Sequence, residues 1–252
     1  MSRKLENKIA VVTGGSTGIG LETARQFALE GATVYITGRR TAELDAAAAS
    51  IGPQANGIAV DSTKLADLQH LVDVIKARHG RVDVLFVNAG GGSMLPLGAI
   101  TEEHFDDTFD RNVKGTLFTV QAMLPILGEG ASVILTGSTA ATKGTPAFSV
   151  YGASKAAVRA FVRHWILDVD TSRRLRFNTL SPGPTRTPGL VDLAGPDAAQ
   201  QQGLLDFLAT QVPLGRVGEP VEIARAAVFL ASDDASFVNG IELFVDGGQA
   251  QV

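Results

Sequence analysis

Short runs of apolar, largely β-branched residues alternate along this chain with longer stretches of helical periodicity. The runs are nearly continuous, as is typical of parallel strands covered on both faces. They predict seven strands, at 8–13, 32–37, 57–60, 82–87, 132–137, 176–180 and 241–245. Between them the pattern predicts helices that include 18–30, 64–79, 101–127, 149–170 and 219–231. This alternation favours one α/β domain, a doubly wound sheet of seven parallel strands flanked by helices.

One segment interrupts the alternation. Residues 182–218 have no strand pattern, and residues 182–220 contain six of the ten prolines. Loops of this length inside a compact domain are usually functional or disordered. The apolar run at 203–209 predicts a short helix, so we expect a lid rather than disorder.

Composition limits the possible functions. Hydrophobic residues make up 45% of the 252, enough for a sizeable core, and the net charge of −4 offers no basic surface for nucleic acid. The chain has no cysteine, and its four histidines lack zinc-ligand spacing, so we expect no metal site. The polar start MSRKLENK carries no targeting signal, and no apolar run approaches the roughly 20 residues of a membrane span. We therefore expect a cytoplasmic protein without a membrane partner.

A glycine-rich segment, TGGSTGIG at 13–20, follows the first predicted strand and opens a helix. In that context Gly14 permits a tight turn, Gly18 lets a pyrophosphate approach the backbone, and Gly20 lets the helix pack close to the strand. The helix N-terminus offers unpaired N–H groups to phosphates. Although the spacing differs from G-x-G-x-x-G, the segment predicts a Rossmann-type dinucleotide site.

The end of the second predicted strand indicates which dinucleotide binds. An acidic residue there would bind the ribose 2′-hydroxyl of NAD. This chain has Arg39 and Arg40 instead, and guanidinium groups suit a 2′-phosphate. The sequence favours NADP(H) over NAD(H).

Several polar residues are predicted to meet at the carboxyl edge of the sheet, where open α/β sheets bind ligands. Ser138 closes the fifth strand, and Asn88–Gly90 close the fourth. In YGASK, Tyr151 and Lys155 lie four positions apart, on one face of a helix. Asn112 lies within a predicted helix, where a polar residue on a solvated face is the alternative interpretation.

Together these motifs resemble the classical short-chain dehydrogenase/reductase family, in order and spacing, over essentially the whole chain. A narrower likeness, to bacterial NADPH-dependent alcohol dehydrogenases that reduce ketones, rests on VILTGS, VPLGRVG and GIELFVDGG. The resemblance implies a dinucleotide-binding half over about 1–137 and a catalytic, substrate-binding half over about 138–252, with a lid at about 185–211.

The resemblance also implies four catalytic roles. Tyr151 exchanges a proton with the substrate oxygen, and its pKa, ordinarily about 10, is lowered by Lys155 and the oxidised nicotinamide. Lys155 also binds the nicotinamide ribose. Ser138 hydrogen-bonds the carbonyl oxygen, and Asn112 holds a water that relays protons from Lys155.

For the cofactor, the resemblance implies pyrophosphate, 2′-phosphate, adenine and carboxamide contacts along the carboxyl edge. The expected residues are Gly14, Ser16, Thr17, Ile19, Gly20, Arg39, Arg40, Asp61, Ser62, Asn88, Ala89, Gly90, Tyr151, Lys155, Pro182, Gly183, Thr185 and Thr187. The substrate pocket is expected to be lined by 91–95, 144–148 and the lid, including Met94, Phe148 and Leu190, for which plain packing is an equal alternative.

We therefore expect an NADP(H)-dependent oxidoreductase that acts on a secondary alcohol or ketone. A serine hydrolase is excluded, because Ser138 lacks the G-x-S-x-G elbow and no triad is apparent. An isomerase or dehydratase is disfavoured, since relatives of that kind usually have a larger substrate domain. A non-catalytic NADPH sensor, expected to lack Tyr151 or Lys155, and an NAD-dependent dehydrogenase of a sugar or steroid-like alcohol remain alternatives.

Helix 149–170 is apolar on more than one side, at Val158, Phe161, Val162, Trp165 and Ile166. A helix of this kind often buries its outer side in a subunit interface. Because the family is commonly tetrameric, we expect a homotetramer.

Overall fold

The computed structural model describes residues 3–252. Within them, seven parallel strands form one sheet in the order β3-β2-β1-β4-β5-β6-β7, which confirms the predicted single α/β domain. The strands are β1 (Ile9–Thr13), β2 (Thr33–Gly38), β3 (Ala55–Ala59), β4 (Val82–Val87), β5 (Leu127–Thr136), β6 (Arg176–Pro182) and β7 (Glu242–Val245). The order reverses between β1 and β4, and a crevice is expected beyond the carboxyl ends of the strands at such a switch point.

The connections are mostly helical and cover both faces of the sheet. The helices are α1 (Gly18–Leu29), α2 (Thr41–Ile51), α3 (Leu65–His79), α4 (Glu102–Phe109), α5 (Gly115–Met123), α6 (Ser149–Asp168), α7 (Pro188–Val191), α8 (Ala198–Thr210) and α9 (Pro220–Ala231). The predicted helices at 18–30, 64–79, 149–170 and 219–231 agree with these bounds to within two residues. No helix among the described residues is long and apolar enough to cross a membrane.

Two hydrophobic layers hold the sheet. One face packs against α3, α5 and α6, through residues such as Leu71, Met123 and Val158. The other packs against α1, α2 and α9, with Phe27 and Ile223 among its buried side chains. Burial on both faces explains why the strand segments read as continuous apolar runs.

The helical stretch predicted at 101–127 is present over 102–126, but it is not one regular α-helix. The chain there forms α4, a π-helical turn at Asp110–Lys114, α5 and a 3-10 turn at Leu124–Ile126. The N–H of Gly115 donates to the carbonyl of Asp110, five residues earlier, which is the wider π spacing. Such turns often occur at functional sites, and this one carries Asn112.

The segment after β6 is ordered by helices and by a contact between its ends. It contains α7 and α8, so the helix expected at 203–209 is present and longer than predicted. The ends meet where Gly218 donates to Pro184 O (2.9 Å) and Arg186 donates to Gly218 O (2.8 Å). The residues between form an arm over the carboxyl edge that is anchored at its base, and we call residues 185–211 the lid.

Candidate active site

A cavity of about 850 Å³ lies at the carboxyl edge of the sheet, between the switch point and the lid. Its lining includes all the residues predicted individually for the site except Gly20 and Asn112. Of the predicted substrate segments 91–95 and 144–148, it includes Gly91, Gly92, Met94, Thr145 and Phe148. The motifs dispersed over the sequence therefore converge on one cavity.

The glycine segment leaves backbone N–H groups available at one side of this cavity. Gly18 has a φ of +56°, a conformation that favours glycine. A Cβ atom at Gly20 would lie 2.1 Å from Gly14 O, so Gly20 lies outside the lining because it packs inside the loop. Thr17 precedes α1 without a side-chain capping bond, so the first N–H groups of the helix are free to bind an anion.

Asn88 connects the carboxyl ends of β1 and β4 beneath the cavity. Its amide nitrogen donates to Thr13 O and Gly14 O, both at 3.2 Å. The Thr13 hydroxyl accepts from the N–H groups of Asn88 (2.9 Å) and Ala89 (3.0 Å). The Asn88 side chain lines the cavity, but these bonds give it a structural task that sequence motifs did not indicate.

The two arginines after β2 differ in their partners. Arg40 forms an ion pair with Glu43, whereas no ion pair within residues 3–252 includes Arg39. Burial raises the pKa of Asp61, but hydrogen bonds from Thr63 and the charges of Lys64 and Arg39 outweigh it, and the pKa lies below its ordinary value. Arg39 is thus the more available cation at this end.

Tyr151 lines the cavity from the first turn of α6, with Phe148 stacked on its ring at a centroid distance of 4.4 Å. Burial raises the pKa of Tyr151, and a hydrogen bond with the Ser138 side chain opposes the rise. In the chain without a bound cofactor, the Tyr151 pKa is therefore not lowered. The site keeps the phenol protonated because the surrounding protein removes it from water.

Lys155 is buried one helical turn further along α6. Its Nζ donates to Thr136 O at 2.8 Å and lies 5.8 Å from the centroid of the Tyr151 ring. Burial lowers the pKa of Lys155 to about 8. The protonated form of Lys155 therefore predominates at neutral pH, and the lysine loses its proton at a pH only slightly above neutral.

Asn112 is buried, so the alternative of a solvated helix face is wrong. Its Oδ1 accepts from the Gly91 N–H, while its Nδ2 donates to Gly91 O and to Ser154 Oγ, all at 2.9 Å. Ser154 in turn donates to Tyr151 O at 2.7 Å. The Asn112 side chain connects the loop after β4 to the helix that carries the tyrosine.

The substrate candidates gather at the end of the cavity beside Tyr151. Met94 is 45% exposed, and Phe148 and Leu190 are partly buried, and all three line the cavity. The lid adds an apolar wall that the sequence did not resolve, formed by Leu193, Leu204, Phe207 and Leu208.

Sequence reasoning did not single out several polar residues of the site. Ser154 belongs to no recognised motif position apart from lying inside YGASK. Thr13 and Thr136 were predicted only as residues of strands. Lys143 and Gln249 also line the cavity, and the Thr139 hydroxyl donates to Gln249 Oε1 at 2.9 Å. No cluster of three or more His, Cys, Asp or Glu side chains within residues 3–252 is arranged to hold a metal ion.

Known proteins resemble this chain over almost its full length. A family profile described as enoyl-(acyl carrier protein) reductase matches residues 14–250. An oxidoreductase of Sarocladium schorii is 45% identical over 252 residues, which cover 99% of this chain and 98% of that protein. An NADP-dependent (R)-specific alcohol dehydrogenase of Lentilactobacillus kefiri is 35% identical over 254 residues, covering 98% of each. The chain belongs to the short-chain dehydrogenase/reductase family.

Solved structures agree with this membership. Ligand-free aldohexose dehydrogenase from Thermoplasma acidophilum superposes with a TM-score of 0.90 at 28% identity, covering 100% of this chain and 97% of that one. Membership makes the protein a short-chain dehydrogenase/reductase oxidoreductase and implies a nicotinamide cofactor. The cavity fits such a group, because free helical N–H groups and an unpaired guanidinium suit its phosphates.

Proposed function

We propose that this short-chain dehydrogenase/reductase transfers a hydride between NADP(H) and a secondary alcohol or ketone, with Tyr151 as the general acid and base. The observation that carries the proposal is one cavity with two chemically different ends. Arg39 lies at one end, while Tyr151, Ser138 and Lys155 lie at the other. Residues up to about 137 would form the dinucleotide-binding half. Those from about 138 would form the catalytic and substrate-binding half, from which Lys155 would also contact the cofactor.

The protonation of the site suits carbonyl reduction. A reduced nicotinamide, when bound, supplies the hydride that the carbonyl carbon accepts. Tyr151 donates its phenolic proton to the carbonyl oxygen, and its raised pKa keeps that proton available at neutral pH. Ser138 Oγ accepts from the Ala140 N–H at 3.1 Å and keeps its own proton to donate to the same oxygen. In the oxidative direction Tyr151 takes the proton back.

Lys155 and Asn112 support Tyr151 in different ways. The Lys155 ammonium would bind the ribose hydroxyls and stabilise a phenolate after proton transfer, because it lies close to the ring in a buried site. Asn112 fixes the loop at Gly91 against α6 with both of its amide N–H donors. The relay water expected at Asn112 would therefore be held by an acceptor oxygen of this residue and not by its side-chain donors.

The preference for NADP(H) rests on Arg39. Its guanidinium forms no ion pair within residues 3–252, and the described end of β2 carries no acidic residue to bind a 2′-hydroxyl. The relative from Lentilactobacillus kefiri is itself described as NADP-dependent.

A sugar dehydrogenase is the second candidate, since aldohexose dehydrogenase shares the fold. The lid opposes it, because leucine and phenylalanine side chains give a polyol few hydrogen-bonding partners. Purified protein with NADPH and a panel of small, cyclic and aryl ketones tests the proposal by absorbance at 340 nm. Net oxidation of NADPH supports it and excludes a sensor, whereas substoichiometric turnover favours an isomerase. A parallel assay with aldoses and the oxidised cofactors tests the second candidate, and reduction of the cofactor there favours the sugar dehydrogenase.

A further inference from the structure

The substrate end of the cavity contains a lysine that the proposed reaction does not use. Lys143 follows Ser138 by five residues, is partly buried and lines the cavity. Its Nζ donates to Gln249 O at a long 3.4 Å, and no ion pair within residues 3–252 includes it. A partly desolvated ammonium with one weak partner is a favourable site for an anion.

The sheet order separates Lys143 from the cofactor phosphates. Arg39 follows β2, whereas Lys143 follows β5 and contacts Gln249, which follows β7. Strands lie roughly 4.8 Å apart, so β2 is about 14 Å from β5 and about 24 Å from β7 across the sheet. Lys143 is therefore too far along the sheet to bind the same phosphate as Arg39.

The other polar groups near this corner leave the charge of Lys143 uncompensated. The Arg111 guanidinium also lines the cavity, but it is paired with the Asp107 carboxylate. Asp192 lines it from the lid and is solvent-exposed. Gln249 uses Oε1 to accept from Thr139, and no hydrogen bond within residues 3–252 uses its Nε2. An ammonium and an amide N–H group are thus both available to an acceptor.

The same cavity also has an apolar wall. Leu204, Phe207 and Leu208 contribute to it from α8, and Met94 from the loop after β4. We propose that the physiological substrate is a ketone with an apolar body and a carboxylate, and that Lys143 and Gln249 bind this carboxylate while Tyr151 and Ser138 bind the carbonyl oxygen. The inference rests on the proposed function and makes Lys143 a specificity-determining residue.

The test compares ketones matched in size but not in charge. The probes are 3- and 4-acetylbenzoate and their neutral isosteres, 3- and 4-acetylbenzamide, reduced with NADPH at low ionic strength. We expect the kcat/KM ratio of acid to neutral ketone to exceed one for at least one pair. In Lys143→Met that ratio should fall by about tenfold or more, as for a lost charge-assisted hydrogen bond. Lys143→Arg should restore most of it, and Lys143→Glu should lower it further.

A ratio of two substrates on one variant cancels any loss of folded enzyme. Lys76→Met is the matched control, because Lys76 is exposed in the last turn of α3, at the opposite edge of the sheet, and should leave the ratio unchanged. If the enzyme reduces the neutral ketones and prefers neither acid, the inference about the carboxylate is overturned while the proposed function stands. The same holds if Lys143→Met leaves the ratio unchanged. Failure to reduce any ketone of the panel would count against the proposed function as well.

Discussion

Gly92 lies so close to Tyr151 that a Cβ atom at Gly92 would be 2.6 Å from Tyr151 Cδ2. Phe148 stacks on the same ring. The loop that carries Gly92 is held in turn by a hydrogen bond from Leu95 N to Ala147 O at 2.8 Å. The phenol is thus oriented by packing against Gly92 and Phe148.

This packing predicts the effect of a single methyl group. Gly92→Ala should displace the loop or the ring by about 1 Å, and a misplacement of that size can lower the rate by as much as about 100-fold. We expect kcat to fall by at least about tenfold while the Kd for NADPH, followed by cofactor fluorescence, changes little. Gly128→Ala, at the amino end of β5 where a Cβ has ordinary contacts, is the control. An unchanged kcat in Gly92→Ala would contradict this prediction, because it would show that catalysis tolerates a displaced Tyr151 ring or loop.

Cofactor choice should depend on Arg39 more than on Arg40. Arg39→Ser should reduce the NADPH-to-NADH ratio of kcat/KM by about tenfold or more, because a charge-assisted phosphate contact is lost. Arg40→Ser should have a smaller effect, since Arg40 is already paired with Glu43. Steady-state kinetics with both cofactors measures this, and equal effects of the two substitutions would contradict the assignment.

The pH dependence should report Lys155. Its pKa is lowered to about 8, so with rising pH it loses its proton earlier than an ordinary lysine. The kcat/KM for NADPH, which reflects the free enzyme, should be flat between pH 6 and 7 and fall above about pH 8. Lys155→Arg, whose guanidinium stays protonated, should lose this descending limb even if its rate is low. A wild-type profile that stays level to about pH 10 would rule out the dependence on the ammonium.

Much of the fold could be predicted because its determinants are local. Continuous apolar runs identified the strands, and the glycine segment marked the turn into α1. The π turn at Asp110–Lys114 could not be predicted, since its apolar and polar residues also fit an α-helix and only the tertiary contacts of Asn112 select the wider turn. The raised pKa of Tyr151 in the free chain could not be predicted either, because it results from burial by the surrounding chain, which the motif spacing does not reveal. The lowering expected with Lys155 and a bound oxidised nicotinamide stays a prediction.

The site residues show the same division. Residues with motif signals, such as Ser138 and Lys155, line one cavity as expected. Ser154 and Gln249 could not be found from spacing, because their partners, Asn112 and Thr139, are 42 and 110 residues away in the chain. Sequence motifs identified the groups proposed for the reaction but not those that hold them in position.

The homotetramer remains a prediction that the structure makes testable. On α6, Val158 and Val162 are buried in the core, while Phe161 and Trp165 stack at 4.7 Å and pack only partly against it. Light scattering at micromolar concentration should give about four times the 26.3 kDa chain mass. Phe161→Glu should lower that mass because a charge would be buried at the interface. A monomeric wild-type mass would refute the prediction.

The central claim is that Tyr151 donates the proton during ketone reduction, and the most direct measurement is NADPH oxidation by Tyr151→Phe beside the wild type. The other tyrosine supplies the matched control, because Tyr35 lies in β2 and its hydroxyl is hydrogen-bonded to His79 at 2.8 Å, outside the cavity. We expect kcat for ketone reduction to fall by about 100- to 10,000-fold in Tyr151→Phe, the range of general acid catalysis, with NADPH binding retained. Tyr35→Phe should keep most of the activity. A Tyr151→Phe variant that binds NADPH and still reduces the ketone at the wild-type rate would contradict the account.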